Sequence, residues 1–576
     1  MSLYHKSSQP LFIPTEILQK ISSHFKDDTS TLFSCILVSR NWCTSLIEVL
    51  WSQPFHLSHS PRLVETYLSF LPENSRDQLK LKNFPSFEKG YKFLFDYPSF
   101  LKKLSIPLIC NAIGEYLREE SNIKTLTFTK MNYYTVNYLE QLMYTDLIKL
   151  FSKQKHIHVS YNFKSFFKRE MIILRELCRL IYNKVNVINE LEFHTGLNFS
   201  EDLTLQLDVE ELTQLQDHFK GLKVLAYSGN NEALCFLAKH CKRIETIKLF
   251  QITCGKYASD NDDLSIQLIS SQKNLRNLEI HDWKIPPSST TITTLLQSIQ
   301  TQANSLRSIK LINCDFKKSK SLLVLSNCRN LEEIIIKENY NLDEKLLVPL
   351  TKIKFSNLKT FIYKFQLINF INNDDDDLDD DDEFIEDEFF DTDEIFSYII
   401  SNAKDTLRIV SINGFKTLQS LRNTLNSLTE CKNLIKLDIM LEKSENTLSL
   451  LLSIIKNNQS LEKLYIVSDT HNLDDNNNLF IDANQFLHLF INVLPQNFKI
   501  LRMHTPDWCF NTNTLNQFLE KAKFRIKSMY WMNHECDLDC SEVLRKYAKL
   551  NGYKLLFRED CRFVNNNIIM MNVFFE

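Results

Sequence analysis

One short motif constrains this chain more than anything else in it: apolar residues at offsets 0, 3 and 5, with polar or charged residues between them. It reads LKVLAY from Leu222, IETIKL from Ile244, LRNLEI from Leu275, LRSIKL from Leu306, LEEIII from Leu331 and LKTFIY from Leu358. It continues as LRIVSI from Leu407, LIKLDI from Leu434, LEKLYI from Leu461, FKILRM from Phe498 and IKSMYW from Ile526, and is preceded by INELEF from Ile188 and IKTLTF from Ile123. From Leu222 to Ile526 the numbers of successive starts differ by 22, 31, 31, 25, 27, 49, 27, 27, 37 and 28. Offsets 3 and 5 fall on one side of a strand, because side chains alternate along extended backbone. Helix-like stretches lie between the motifs, such as NTLSLLLSIIKNN after Leu434 and ANQFLHLFINVLP after Leu461. Strand then helix, repeated, implies parallel strands joined by right-handed crossovers. Neither layer buries its apolar face alone, so the units must stack on one another.

A chain of 576 residues is too long for one compact core, which agrees with a repeat array or several domains. At 44% hydrophobic and 24% charged it has the composition of a folded soluble protein. Its apolar runs are shorter than a membrane span requires, and its first residues, MSLYHKSSQP, lack the apolar core of a secretory signal. Fourteen cysteines are scattered from Cys35 to Cys561 without CxxC pairs, which suits a reducing compartment. The expected location is cytoplasmic and/or nuclear, with no membrane partner.

Charge is segregated. From Asp374 to Glu394 the chain carries 15 acidic residues and no Lys or Arg, so a net charge of −4 leaves +11 elsewhere. Such a run repels itself and stays solvated, so residues 372–394 are expected to form a disordered acidic insertion. It falls in the widest gap between motifs, from Leu358 to Leu407, as an insertion into a repeat array would. The basic excess is spread along the chain, and stretches such as FKKSK (Phe316–Lys320) are too short to track phosphates. No nucleic-acid partner is expected.

The search for chemistry excludes more than it finds. Only eight glycines occur, no two closer than eight positions, which removes GxGxxG, the Walker A loop and GxSxG. His534, Cys536 and Cys540 in HECDLDC resemble metal ligands, but the second pair that zinc needs at short spacing is missing. The expectation is a chain without metal, cofactor or catalytic residues, the competing class being a hydrolase whose dispersed residues only the fold would bring together.

The motif, at its typical spacing, resembles the L-x-x-L-x-L unit of leucine-rich repeats. The Asn or Cys which that family places at offset 8 recurs only as Asn230, Cys314 and Asn339. The resemblance implies an irregular α/β solenoid over residues 121–576, with parallel strands on its concave side and helices on its convex side.

The N-terminal part is built differently, with eight of thirteen prolines at or before Pro107. After a tail at residues 1–9 comes IPTEILQKISSHF. Pro14 suits the first turn of a helix, and Ile17, Leu18, Ile21 and Phe25 recur on one helical face. Lys26–Ser30 supplies a turn with capping oxygens for a second helix carrying Leu32, Cys35 and Ile36; a third carries Trp42, Leu46, Val49 and Leu50. Ile13-Pro14, Glu16-Ile17-Leu18, Ile21, Val38-Ser39-Arg40-Asn41-Trp42 and Leu50-Trp51 together resemble an F-box, here over residues 10–55, with residues 56–120 as a transition to the repeats. That resemblance implies a trihelical module docking on the Skp-type adaptor of cullin–RING ubiquitin ligases through Ile13, Pro14, Ile17, Leu18, Ile21, Phe25, Leu32, Val38, Trp42 and Trp51. The alternative is a helical cap on the first repeat of a leucine-rich scaffold with no ligase role.

The two resemblances together imply the substrate receptor of an SCF-type ligase, with the adaptor, cullin and RING subunits and an unidentified protein substrate as partners. Offsets 4 and 6 would line the open sheet face, placing Tyr465, Val467, Arg502, His504, Tyr530 and Met532 there. Tyr465, Arg502, His504 and Tyr530 are the expected substrate contacts, since Tyr and Arg dominate interface hot spots. The central units, with Phe250, Ile312, Ile335 and Ile362, are a rival site, and Lys248, Glu279, Lys310 and Asp438 read as an ordinary solvated face.

Overall fold

The computed structural model describes residues 13–81, 93–121, 158–194, 217–250, 259–282, 292–316, 322–364, 394–468, 483–533, 543, 546, 554–558 and 569–574, apart from short gaps inside those ranges. The Ile123 motif, the acidic run up to Asp393 and the His534–Cys540 cluster lie outside the described residues. The chain is α/β and divides into two units, Met1–Phe250 with Ser271–Lys273, and Gln251–Ser270 with Asn274–Glu576.

The first unit opens with three helices, α1 (Thr15–Ser23), α2 (Thr29–Ile36) and α3 (Arg40–Leu50). Asp28 caps α2 by accepting from the Thr31 N–H at 3.0 Å, and Ser39 caps α3 by accepting from the Trp42 N–H at 3.3 Å. Pro14 precedes α1 as its N-cap, one position before the expected first turn. α3 packs against both of the others, and polar side chains fix the ends of the module. Asn41 donates to the Ile13 carbonyl at 3.1 Å, and Gln53 donates to the Lys26 carbonyl at 3.1 Å and to Asp27 at 2.9 Å.

Among the described residues four parallel strands follow, with helices between them: β1 (Lys103–Ser105), β2 (Glu190–His194), β3 (Val224–Ser228) and β4 (Thr246–Leu249). β1 lies inside the segment expected to be a transition. Its sequence, LKKLSI from Leu101, carries the 0/3/5 motif, and Leu101, Leu104 and Ile106 are all buried. The array therefore starts at Leu101, ahead of the boundary at 121 expected from sequence. The three-helix module is tied into this start, because the Lys102 and Lys103 N–H groups both donate to the Ser52 carbonyl, at 2.9 and 3.1 Å. Asn189 and Glu190 repeat the arrangement on the Lys102 carbonyl.

The second unit carries, among its described residues, nine parallel strands in sequence order: β5 (Asn277–His281), β6 (Ser308–Ile312), β7 (Glu333–Lys337), β8 (Thr360–Lys364), β9 (Ile409–Asn413), β10 (Lys436–Leu441), β11 (Lys463–Ser468), β12 (Ile500–His504) and β13 (Ser528–Asn533). Every motif from Ile188 to Ile526 starts a strand two positions after its first apolar residue. Wherever burial is described, offsets 0, 3 and 5 of these twelve motifs are buried, down to 0% exposure at Leu275, Leu278 and Ile280. Successive crossover helices pack on each other, Ile395–Ala403 on Leu418–Thr429 and Ala483–Val493 on Thr512–Ala522 among them. Neighbouring parallel strands joined by crossovers of one hand place those helices on one face and leave the other open. The crossovers after β6 and β7 depart from the expected helices. They use 3₁₀ turns, Leu323–Asn327 and Glu344–Leu347, and the short helix Val348–Thr351.

The array is not parallel throughout. β14 (Lys554–Arg558) and β15 (Ile569–Phe574) run antiparallel, and β15 inserts between β13 and β14. β15 thus occupies the edge of β13 on which a further parallel strand would pair.

Buried amides stitch the repeats together. Asn339, at offset 8, accepts from the Cys314 N–H at 2.8 Å and donates to the Leu311 carbonyl at 3.1 Å, both in the preceding repeat. The Cys314 thiol, also at offset 8, donates to the Ile280 carbonyl at 3.5 Å. Elsewhere the amide sits just before the motif. Asn458 accepts from the Leu434 N–H at 2.9 Å and donates to the Cys431 carbonyl at 2.9 Å; Gln272 does the same for Ile244 and Cys241. Offset 7 has its own regularity, a left-handed backbone at Asp282, Asn313 and Glu338 (φ 54°, 55° and 54°) and at Gly414 (φ 85°).

Candidate functional site

Two surfaces stand out. The first is on the N-terminal helices, where the ten expected docking residues divide sharply. Leu18 and Leu32 are fully buried, so they hold the three helices together and do not face outward. This corrects their place in the docking set: Ile17 and Leu18 are adjacent, about 100° apart around the helix, and only Ile17 points to solvent. Trp51 is half-buried and stacks on Tyr97 at 4.2 Å between ring centroids, joining the module to the array behind it. Ile13 and Trp42 are half-buried and Pro14 is exposed.

The rest form a display of bare apolar groups. Ile17 is 49% exposed and Ile21 and Phe25 are each 40%, spaced by four positions along α1 and the turn after it. Phe33 (57%), Leu37 (70%) and Val38 (65%) form a second stripe on α2 and its following turn. Phe33 and Leu37 escaped the sequence reading, although they sit one turn apart and Phe33 directly follows the buried Leu32. Isolated exposed apolar residues are ordinary; two stripes of three on one short module are not.

The second surface is the open face of the second unit's sheet. Register places Tyr465, Arg502 and Tyr530 as direct neighbours on β11, β12 and β13, with Val467, His504 and Met532 in the parallel row beside them. The expected contact residues thus share one face. The Tyr465 ring has the Lys436 ammonium 4.6 Å from its centroid on one strand and the Arg502 guanidinium 4.8 Å away on the other. Arg502 is exposed, and Tyr465 and His504 are half-buried. The rival central site is covered more completely, since Ile335 and Ile362 are buried.

Charge on this face is more organised than the sequence led us to expect. Lys337 and Lys364 are register neighbours on β7 and β8, and Lys436 and Lys463 on β10 and β11. Lys364 bridges to the buried Asp438 at 2.8 Å, which also accepts from Ser411 at 2.8 Å. Burial, then repulsion from Lys364, Lys463 and Lys337, hold the Lys436 ammonium below the usual lysine range against the pull of Asp438. Toward β5 the polar groups are paired, His281 with Glu279 at 2.6 Å and Lys310 with Glu333 at 3.4 Å.

Burial pushes the Cys241 and Cys431 thiols up to about 12 and the Cys328 thiol up to about 11, so at neutral pH they are protonated core groups. Among the described residues no three His, Cys, Asp or Glu side chains converge as metal ligands, and no helix is long and apolar enough to cross a membrane. No protein-family model matches the chain, and no curated protein matches it in sequence.

Proposed function

We propose that this protein is the substrate receptor of an SCF-type ubiquitin ligase: its N-terminal helices dock on a Skp-type adaptor and the open face of its leucine-rich repeats holds a protein substrate. The observation that carries the reading is the pair of apolar stripes, Ile17–Ile21–Phe25 and Phe33–Leu37–Val38. A helical cap that merely closed the array would turn polar groups outward. Six exposed large side chains instead favour burial against a partner, at roughly 1.5–3 kcal/mol for each one fully covered, before association costs. The leucine-rich reading rests on the 0/3/5 motif, its one-sided burial, and the offset-8 bonds of Cys314 and Asn339. Such a receptor does no chemistry; it raises the local concentration of a substrate beside a ubiquitin-charged enzyme.

Co-purification with a recombinant Skp-type adaptor tests the proposal. The wild-type chain should form a stoichiometric complex. Ile17→Asp with Leu37→Asp should abolish it, since each buries a carboxylate in the interface, while both sites are exposed enough to leave the fold intact. No complex with the wild type, or equal binding by the double variant, overturns the assignment.

A further inference from the structure

The open sheet face gathers cations that have no carboxylate of their own. Lys337 on β7, Lys436 on β10, Lys463 on β11 and Arg502 on β12 make no ion pair with a carboxylate among the described residues, and Lys364 on β8 shares Asp438 with Ser411. Like charges placed directly opposite on neighbouring strands cost stability, and this sheet does so twice, at Lys337–Lys364 and Lys436–Lys463. Burial first, and then repulsion from Lys364, Lys463 and Lys337, hold the Lys436 ammonium below the usual lysine range. Tyr465 and Val467, both half-buried, supply apolar surface between the cations.

We propose that this face, from β7 to β12, binds an extended acidic segment, rich in Asp and Glu, of a partner protein. The spread of the cations selects the occupant. Five strand spacings cover about 24 Å, the length of roughly seven extended residues. One phosphate would need several donors converging on a point, whereas single cations on separate strands match carboxylates strung along a chain. A nucleic-acid backbone fits less well, because its evenly spaced phosphates cannot skip Glu333 and Asp438 on the same sheet, whereas a peptide can place uncharged residues there. The inference rests on the receptor reading and names the chemistry of its substrate.

The test uses the full-length chain and a short fluorescent peptide, mostly glutamate with two leucines. Fluorescence anisotropy should show saturable binding that weakens with salt and disappears when glutamine replaces glutamate. Lys337→Glu with Lys463→Glu should weaken it at least tenfold, with an unchanged melting temperature and unchanged adaptor binding. Equal affinity in that double variant overturns the proposal, as does tighter binding of a poly-dT oligonucleotide. Binding only after residues 365–393 are deleted also overturns it, by making the chain's own acidic run the occupant. A wild-type chain that binds the peptide but no adaptor would instead count against the receptor reading alone.

Discussion

Asn458 shows how much one side chain holds in this fold. Its amide satisfies the Leu434 N–H and the Cys431 carbonyl of the preceding repeat, and all three residues are fully buried. Asn458→Leu would leave both groups unpaired at about 1–3 kcal/mol each, so a fall of several degrees in melting temperature is expected. A variant that melts with the wild type would show that water or relaxation replaces the amide. The buried thiols give a second check at this scale. Cys241 and Cys431, held up to about 12, should resist iodoacetamide in the folded protein at pH 8, while the exposed Cys235 is alkylated first. A folded pKa raised above the free thiol's means the protonated core is favoured over the whole neutral range. Stability from these groups is full below the unfolded thiol pKa near 9 and declines as pH rises from there toward 12. Rapid labelling of Cys241 or Cys431 at pH 8, followed residue by residue in a mass spectrum, would contradict that placement.

At the scale of elements, the strands were legible because a period of two and a one-sided apolar pattern leave few alternatives. LKKLSI at Leu101 carried the same signal and was missed, although the motif read at Ile123 begins only 22 positions further on. The final strands β14 and β15, KLLFR and IMMNVF, lie outside the 0/3/5 series because they pair antiparallel and belong to no repeat. The helices of the N-terminal module were legible too, but their orientation was not. An apolar pair such as Ile17-Leu18 does not say which residue meets α3, and tertiary packing alone chose Leu18. The contrast makes a prediction. Leu18→Ala should destabilise the module by about 2–5 kcal/mol, whereas Ile17→Ala should cost well under ~1 kcal/mol. Proteolysis of the N-terminal module under native conditions would report the difference, and equal sensitivity of the two variants would place α1 wrongly.

For the whole molecule, sequence composition excluded the glycine-dependent nucleotide and hydrolase folds and left a repeat array with a differently built N-terminus. The cationic stretch of the open face could not be read that way. Lys337, Lys364, Lys436, Lys463 and Arg502 belong to five different repeats and meet only because parallel strands stack in order. The central claim is that the N-terminal helices dock on an adaptor while the sheet face stays open for substrate. Hydrogen exchange on the full-length chain, with and without a Skp-type adaptor, measures this directly. The claim predicts slowed exchange in Thr15–Leu50 on adding adaptor and none in β10–β13. Protection confined to the sheet strands, or none anywhere at saturating adaptor, would contradict it.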